Sequence, residues 1–323
     1  MITKYVDLTS TPEKLGLLVF IFAIVMGNIC AFVTFCVRGD KKYWSNMLIL
    51  GMAFIDLFIG SFVLPLRYLN TYGNPLTLKL CTALRIGESC ALAAVVYAIF
   101  IMIYARLYNL KRPSVVIHRH YLLILLLSSW IVFFLFYGIP FMIDYSNYSL
   151  SITSTKTINV TSCCTTYTTS IYHSPWMAYI EIGIIYSIPL MFISIGLIYL
   201  LHCICQPRPK RLGPTERKIY LEEQKTTWHV FLLGITFIFL WVPWMSVRIL
   251  IIFYNTYTIQ LVLQITYYIL LLKSVLFPIV YASTNASFRG SFALYKHQRI
   301  TFAVRVSAID DQHEYSPKSR RGY

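Results

Sequence analysis

The sequence predicts an all-α membrane protein, a bundle of seven transmembrane helices with a short amphipathic helix after span seven. Of its 323 residues, 57% are hydrophobic and 13% are charged, and the mean hydropathy is +0.63. This composition is typical of membrane proteins. In addition, seven apolar runs along the chain are long enough to cross a bilayer.

These runs, called spans one to seven below, set the domain organisation. They cover roughly Leu15–Val37, Ser45–Leu69, Leu80–Tyr108, Tyr121–Met142, Trp176–Cys203, Thr227–Tyr254 and Leu261–Ser283. Residues 1–14 are polar, and the first run is long enough to remain as a span, so no cleavable signal peptide is predicted. Residues 15–283 form the helix bundle, 284–305 a basic membrane-surface helix and 306–323 a disordered polar tail.

The distribution of basic residues predicts the orientation in the membrane. Of 28 Lys and Arg residues, 19 lie in the loops after spans one, three and five and in the tail, against five on the opposite side. Positive charge collects on the cytoplasmic side, so the N-terminus is predicted outside and the tail inside, in a multi-pass protein of the cell membrane. The net charge of +15 fits a surface beside anionic membrane lipid and requires no nucleic-acid partner.

Polar, aromatic and proline residues mark the spans in order. Span three places Arg106 25 residues after Cys81, about 37 Å along a helix, and Pro113 follows. Span six contains the pattern Phe-x-x-x-Trp-x-Pro, ending at Pro243. The remaining marks are Asn28 in span one, Asp56 in span two, Trp130 in span four, Pro189 in span five, Phe237 and Trp241 in span six, and Pro278 and Tyr281 in span seven.

In this order and spacing, these residues resemble the rhodopsin-like (class A) G-protein-coupled receptors over about residues 15–300. The resemblance implies a receptor that senses an extracellular ligand and switches a heterotrimeric G protein on the cytoplasmic side. The switch would be a movement of span six about Pro243, because proline removes a backbone hydrogen bond and creates a hinge. The switch residues implied are Arg106, Glu223, Trp241, Pro243, Pro278 and Tyr281.

Three positions depart from the pattern of that family. The triplet Asp/Glu-Arg-Tyr of span three reads Ala-Arg-Leu around Arg106, Phe277 replaces the asparagine of span seven, and Leu197 replaces a tyrosine of span five. Such departures are typical of a fast-diverging lineage, such as receptors encoded by large DNA viruses. They are compatible with ligand-independent signalling. They also favour an alternative function, a non-signalling protein of the same fold that scavenges ligand or modifies other receptors by pairing with them.

Arg106 lacks the acidic neighbour that the family provides. Glu223, twenty residues before Pro243, lies at a matching depth, so a pairing between spans three and six is one interpretation. The other is that Glu223 is a solvated helix end.

Ionisable residues in the outer part of the spans are the candidates for a ligand pocket above Trp241. They are Arg85, Glu88, Glu181, Arg248 and, as an aromatic member, Tyr267. Burial of unpaired charge is costly in a membrane, so a mixed-charge cavity is expected. For Glu88 an internal pair with Arg85, one helical turn away, is equally consistent with the spacing.

Asp56 lies at the depth where family members commonly hold a sodium ion. The positions that would help to bind the ion are Val95 and Phe277, which offer no oxygen ligand, and one turn before Phe277 stands Lys273, followed by Ser274. Buried unpaired charges cost several kcal/mol. The sequence therefore predicts that Lys273 reaches Asp56 directly or through water. In the alternative, the lysine turns away to another acceptor or to an internal water.

The resemblance also implies a disulfide from Cys81 to the loop between spans four and five, where both Cys163 and Cys164 are candidates. The same loop carries glycosylation sequons at Asn147 and Asn159.

No motif typical of an enzyme occurs in the sequence, and neither metal-ligand spacing nor a phosphate-binding loop is present. No enzyme activity, cofactor or metal site is therefore predicted. A channel or transporter is disfavoured because the chain lacks the internal repeat of such folds. Assembly of the chain with itself or with other receptors is left open by the sequence.

Overall fold

The computed structural model describes residues 10–38, 44–72, 78–111, 119–152, 175–206, 213–254 and 256–284. Several predictions fall outside these ranges: the first nine residues, the loop with Cys163, Cys164 and Asn159, the membrane-surface helix and the tail.

The described residues are almost entirely helical. Their helices are α1 (Ser10–Arg38), α2 (Trp44–Phe58), α3 (Leu64–Tyr72), α4 (Leu78–Lys111), α5 (Arg119–Ile152), α6 (Pro175–Ile180), α7 (Ile188–Cys205), α8 (Pro214–Phe253) and α9 (Tyr257–Thr284). Within the described residues, seven helical stretches are long and apolar enough to cross a membrane, which confirms the predicted seven spans. Spans one, three, four, six and seven are α1, α4, α5, α8 and α9. Spans two and five are each built from two α-helices joined by a π-helical turn.

The two π-helical turns share a feature of the sequence. They cover Ile59–Val63 and Glu181–Ser187, and each is followed two residues later by a proline, Pro65 or Pro189. A proline has no N–H to donate, and its ring displaces the carbonyl four residues earlier. A turn widened by one residue accommodates the proline in spans two and five, whereas Pro140, Pro243 and Pro278 lie within α-helices. Such turns are frequent at functional sites.

The helices extend past the predicted spans, α1 from Ser10 instead of Leu15 and two others by ten residues or more. α5 continues to Ile152, so the segment after residue 142, which was expected to be loop, begins as helix and includes the Asn147 sequon. α8 begins at Pro214, although residues 206–225 were also predicted to be loop. Proline is well tolerated in a first helical turn, so Gly213-Pro214 starts the helix instead of merely breaking the loop. The Gly213 N–H donates to the Glu216 carboxylate at 3.2 Å, which caps this start.

Residues 1–280 form one compact unit, and residues 281–323 form a second, of which the last turn of α9 is described. In the first unit α4 is central, because it packs against α2, α5, α7 and α8. Large apolar side chains cover the outside of the helices, among them Phe22, Phe62, Phe134, Ile198 and Phe239. Such a surface suits contact with lipid.

Candidate functional site

Arg106 of α4 is buried and binds α8. Its Nη2 donates to the Glu223 backbone carbonyl at 2.7 Å and forms a salt bridge with the Glu223 carboxylate at 2.5 Å. Both Nε and Nη2 also donate to the Thr227 Oγ1, at 3.0 and 2.8 Å. We call these contacts the Arg106 tether. The predicted pairing of Arg106 with Glu223 is thus present in the structure.

The parts of the tether differ in their exposure to solvent. The Glu223 side chain is 55% exposed while that of Arg106 is 3% exposed, so solvent screens the carboxylate more than the guanidinium. Thr227 is buried, and its hydroxyl donates onward to the Glu223 carbonyl at 2.8 Å. Thr227 was not among the sequence-predicted site residues. Its position four residues after Glu223, on the same helix face, is the signal that could have found it.

A second polar site joins spans two and seven. Lys273 Nζ lies 2.7 Å from Asp56 Oδ1, and both side chains are fully buried. The Ser274 hydroxyl donates to the same Asp56 oxygen at 2.7 Å, and Lys273 donates to the Ser274 Oγ at 3.1 Å. The predicted contact between Lys273 and Asp56 is therefore direct.

The surroundings of this pair are polar on one side and apolar on the other. The Asn28 amide of α1 donates to the backbone carbonyl of Ser274 at 2.9 Å, which ties α1 to the same site. Val95 of α4 and Phe277 of α9 are buried, and the Lys273 Nζ lies 6.0 Å from the Phe277 ring centroid. The carboxylate of Asp56 thus has a lysine as its counter-charge in an otherwise largely apolar layer.

Near the other end of α8, Glu181 forms the centre of a third polar cluster. Its Oε2 accepts from Arg248 Nη2 at 3.1 Å in a salt bridge between spans five and six. Its Oε1 accepts from the Tyr137 hydroxyl at 3.2 Å and lies 3.4 Å from that of Tyr186. Glu181 begins the π-helical turn and is 2% exposed. The two tyrosines were not predicted as site residues.

Aromatic contacts connect this cluster to Trp241, which is fully buried. The Tyr186 ring centroid lies 5.7 Å from that of Trp241 and 5.9 Å from that of Trp244. Trp241 also stacks on Phe237 at 4.9 Å. Pro243 lies within the continuous helix α8, and Pro278 lies within α9. Tyr186 thus contacts both Glu181 and the Trp-x-Pro segment of span six.

Glu88 forms a salt bridge with Arg67 of α3 at 2.9 Å. Arg67 also lies over the ring of Tyr267, with 4.4 Å between its guanidinium carbon and the ring centroid. These contacts connect spans two, three and seven. The sequence did not predict Arg67 as the partner of Glu88, because spacing along one helix reveals Arg85 but not a residue of a neighbouring helix. Arg85 lies on α4 one turn before Glu88 and is partly buried.

Cys81 at the start of α4 is buried and disulfide-bonded. The described cysteines Cys30, Cys90, Cys203 and Cys205 are free. Whether Cys163 or Cys164 is the partner concerns residues outside the described ranges and stays a prediction.

The chain matches the family model described as 7 transmembrane receptor (rhodopsin family) over residues 27–281. The match covers most of the chain and includes the Arg106 tether and the Asp56–Lys273 pair. The chain belongs to the rhodopsin family of seven-transmembrane receptors. No curated protein sequence matches it. As a rhodopsin-family receptor, the chain is a multi-pass membrane protein with seven spanning helices.

Proposed function

We propose that this receptor activates a heterotrimeric G protein at the end of the bundle where Arg106 lies, and that α8 moves away from α4 when it does so. In this proposal the Arg106 end faces the cytoplasm and the Cys81 end faces the outside, as the basic residues indicate. The receptor responds to an extracellular ligand or signals without one. The pocket residues are Arg85, Glu88, Glu181, Trp241, Arg248 and Tyr267.

The observation that carries the proposal is the Arg106 tether. Arg106 is followed and preceded by apolar residues, and its bonds to Glu223 and Thr227 all reach α8. A movement of α8 away from α4 must break them together. The residue that the family resemblance assigns to the G-protein contact is therefore engaged with α8 in this structure, which is the arrangement expected of an off state.

Removal of the tether tests the proposal. Basal G-protein activation is measured in cells without added ligand, with a panel of Gα subunits and normalisation to surface expression. Glu223→Gln should raise the signal modestly, because the carboxylate is 55% exposed and an ion pair screened by solvent contributes about 0–1 kcal/mol. Glu223→Gln with Thr227→Val should raise it further, since the buried hydroxyl bonds are also lost. Arg106→Ala should lower it.

The matched control is Glu216→Gln, which makes the same charge change on the same helix. Glu216 is exposed and caps the start of α8, and glutamine can also serve in this capping position. This variant should keep the basal signal of the wild type.

A non-signalling scavenger or pairing partner is the second candidate. The observation that favours it is the Ala-Arg-Leu triplet around Arg106, together with Phe277 in span seven. If the double variant and Arg106→Ala both leave every Gα readout unchanged at normal surface expression, this second function replaces the first.

A further inference from the structure

Two glycines allow spans three, five and six to approach closely next to the Arg106 tether. A Cβ built at Gly234 of α8 would lie 2.5 Å from Leu197 Cδ2, and one built at Gly196 of α7 would lie 2.6 Å from Ile103 Cγ2. Real Cβ contacts are essentially never this short. Glycine lowers helix stability relative to alanine, so its presence at a helix interface favours close backbone approach.

In the cluster formed by Ile103, Gly196, Leu197 and Gly234, side chains of the neighbouring helices surround the position of a Gly234 Cβ. Besides Leu197 Cδ2, the position of a Gly234 Cβ is 3.3 Å from Ile103 Cδ1 and 3.4 Å from Leu197 Cδ1. Ile103 and Leu197 are themselves buried. A different rotamer of Leu197 would move both of its methyl groups, but Ile103 Cδ1 would still lie 3.3 Å from the added carbon and would have to give way in a densely packed interior.

The cluster and the tether lie on the same helix faces. Ile103 precedes Arg106 by three residues on α4, which is about one turn. Gly234 follows Thr227 by seven residues on α8, which is about two turns and returns the side-chain direction to within about 20°. A larger distance between α8 and its neighbours at Gly234 is therefore expected to increase the distance between Thr227 and Arg106 as well.

We propose that Gly234 is a positioning residue of the receptor switch. It lets α8 lie close enough to Leu197 and Ile103 for Thr227 and Glu223 to reach Arg106. This inference rests on the proposed function, because it concerns the same off state. If the side chains keep their positions, a methyl group at Gly234 requires a separation of about 0.9 Å to bring the 2.5 Å contact to an ordinary 3.4 Å. A displacement of α8 of that size away from α4 would extend the Arg106 hydrogen bonds, now 2.7–3.0 Å, beyond bonding range.

The test is Gly234→Ala in purified receptor reconstituted in lipid nanodiscs with G protein and no ligand. We expect basal nucleotide exchange to rise about fivefold, because the added methyl group destabilises the closed packing more than an open one. Leu197→Ala in the same chain removes the crowding methyl groups and should return exchange toward the wild-type rate. Gly138→Ala is the control for a glycine substitution within a span, since its Cβ would meet its nearest neighbour, Phe134, at an ordinary 4.0 Å. It should leave exchange unchanged.

Two outcomes would overturn the inference. One is a wild-type exchange rate in folded Gly234→Ala. The other is an equal rise in Gly196→Ala, whose added methyl group crowds Ile103 from α7, because general loosening of the cluster would then explain the effect. If Gly234→Ala does not yield folded protein, Gly234→Ala with Ile103→Val reduces the crowding. This variant should still raise exchange, and a wild-type rate in it would contradict the inference.

The parallel measurement on Glu223→Gln with Thr227→Val distinguishes two failures. If that variant raises exchange and Gly234→Ala does not, Gly234 has no positioning role but the proposed function stands. If neither variant nor Arg106→Ala changes exchange, the proposed G-protein coupling itself is wrong.

Discussion

Lys273 Nζ and Asp56 Oδ1 lie 2.7 Å apart, and neither side chain reaches solvent. A buried ion pair is a poor source of net stability, because both charges lose their hydration. The removal of one partner is nevertheless expensive, since it leaves the other charge uncompensated. The pair therefore makes spans two and seven interdependent, and the first two predictions concern it.

Asp56→Asn should destabilise the receptor more than Asp56→Asn combined with Lys273→Met. The single change strands the lysine and should cost about 3–5 kcal/mol, whereas the double change replaces the pair by uncharged groups and is often nearly neutral. The thermal unfolding of receptor in a fixed detergent measures the difference. Ser274→Ala is the control for loss of hydrogen bonds without loss of charge, because its hydroxyl bonds both Asp56 and Lys273, with an expected cost of about 1–3 kcal/mol. A double variant that is as unstable as the single one would show that the two side chains are not coupled.

Sodium should have no specific effect on this receptor. The Lys273 ammonium already neutralises the Asp56 carboxylate. Sodium prefers oxygen ligands, and the side chains of Val95 and Phe277 provide none. The basal signal and the unfolding temperature should therefore be the same in sodium and in potassium chloride at equal ionic strength. A saturable change that appears in sodium alone would contradict this prediction.

Glu181→Gln should destabilise spans five and six around Arg248. It leaves Arg248 without its carboxylate, and because that guanidinium side chain is 17% exposed, the cost should be near or below the lower end of the range of about 3–5 kcal/mol for a broken buried pair. Tyr137→Phe removes one hydrogen bond to the same carboxylate and should cost about 1 kcal/mol. Unfolding of Glu181→Gln, of Arg248→Met and of the variant with both changes gives the coupling energy of the ion pair. Additive effects of Glu181→Gln and Arg248→Met would argue against a functional ion pair.

Cys81→Ser should greatly reduce surface expression, because a disulfide in such a protein typically contributes about 2–5 kcal/mol. Peptide mapping of the non-reduced wild type should place Cys81 in a bond to Cys163 or Cys164. Serine variants of those two residues, made one at a time, should identify the partner by the one that matches Cys81→Ser. The free Cys90, also in α4, supplies the control, and Cys90→Ser should be expressed normally. A free Cys81 thiol in folded receptor would refute the predicted pairing.

The sequence by itself determined the seven spans and two of the long-range contacts. Hydropathy was sufficient for the spans, because each must cover the apolar thickness of a membrane. Asp56 and Lys273 could be paired from sequence because a charge buried in an apolar layer requires compensation, and few opposite charges lie at that depth. Arg106 and Glu223 could be paired for a related reason, since the usual acidic neighbour of the arginine is missing.

The tertiary structure alone decided which face each helix turns to its neighbours. Glu88 meets Arg67 of another helix, Tyr137 and Tyr186 surround Glu181, and these contacts depend on helix rotation and depth, which spacing within one helix does not define. The two π-helical turns alter that rotation in spans two and five. The close contact at Gly234 likewise arises only when three helices are packed, because a glycine in a sequence does not reveal which side chain fills the space left by its missing Cβ.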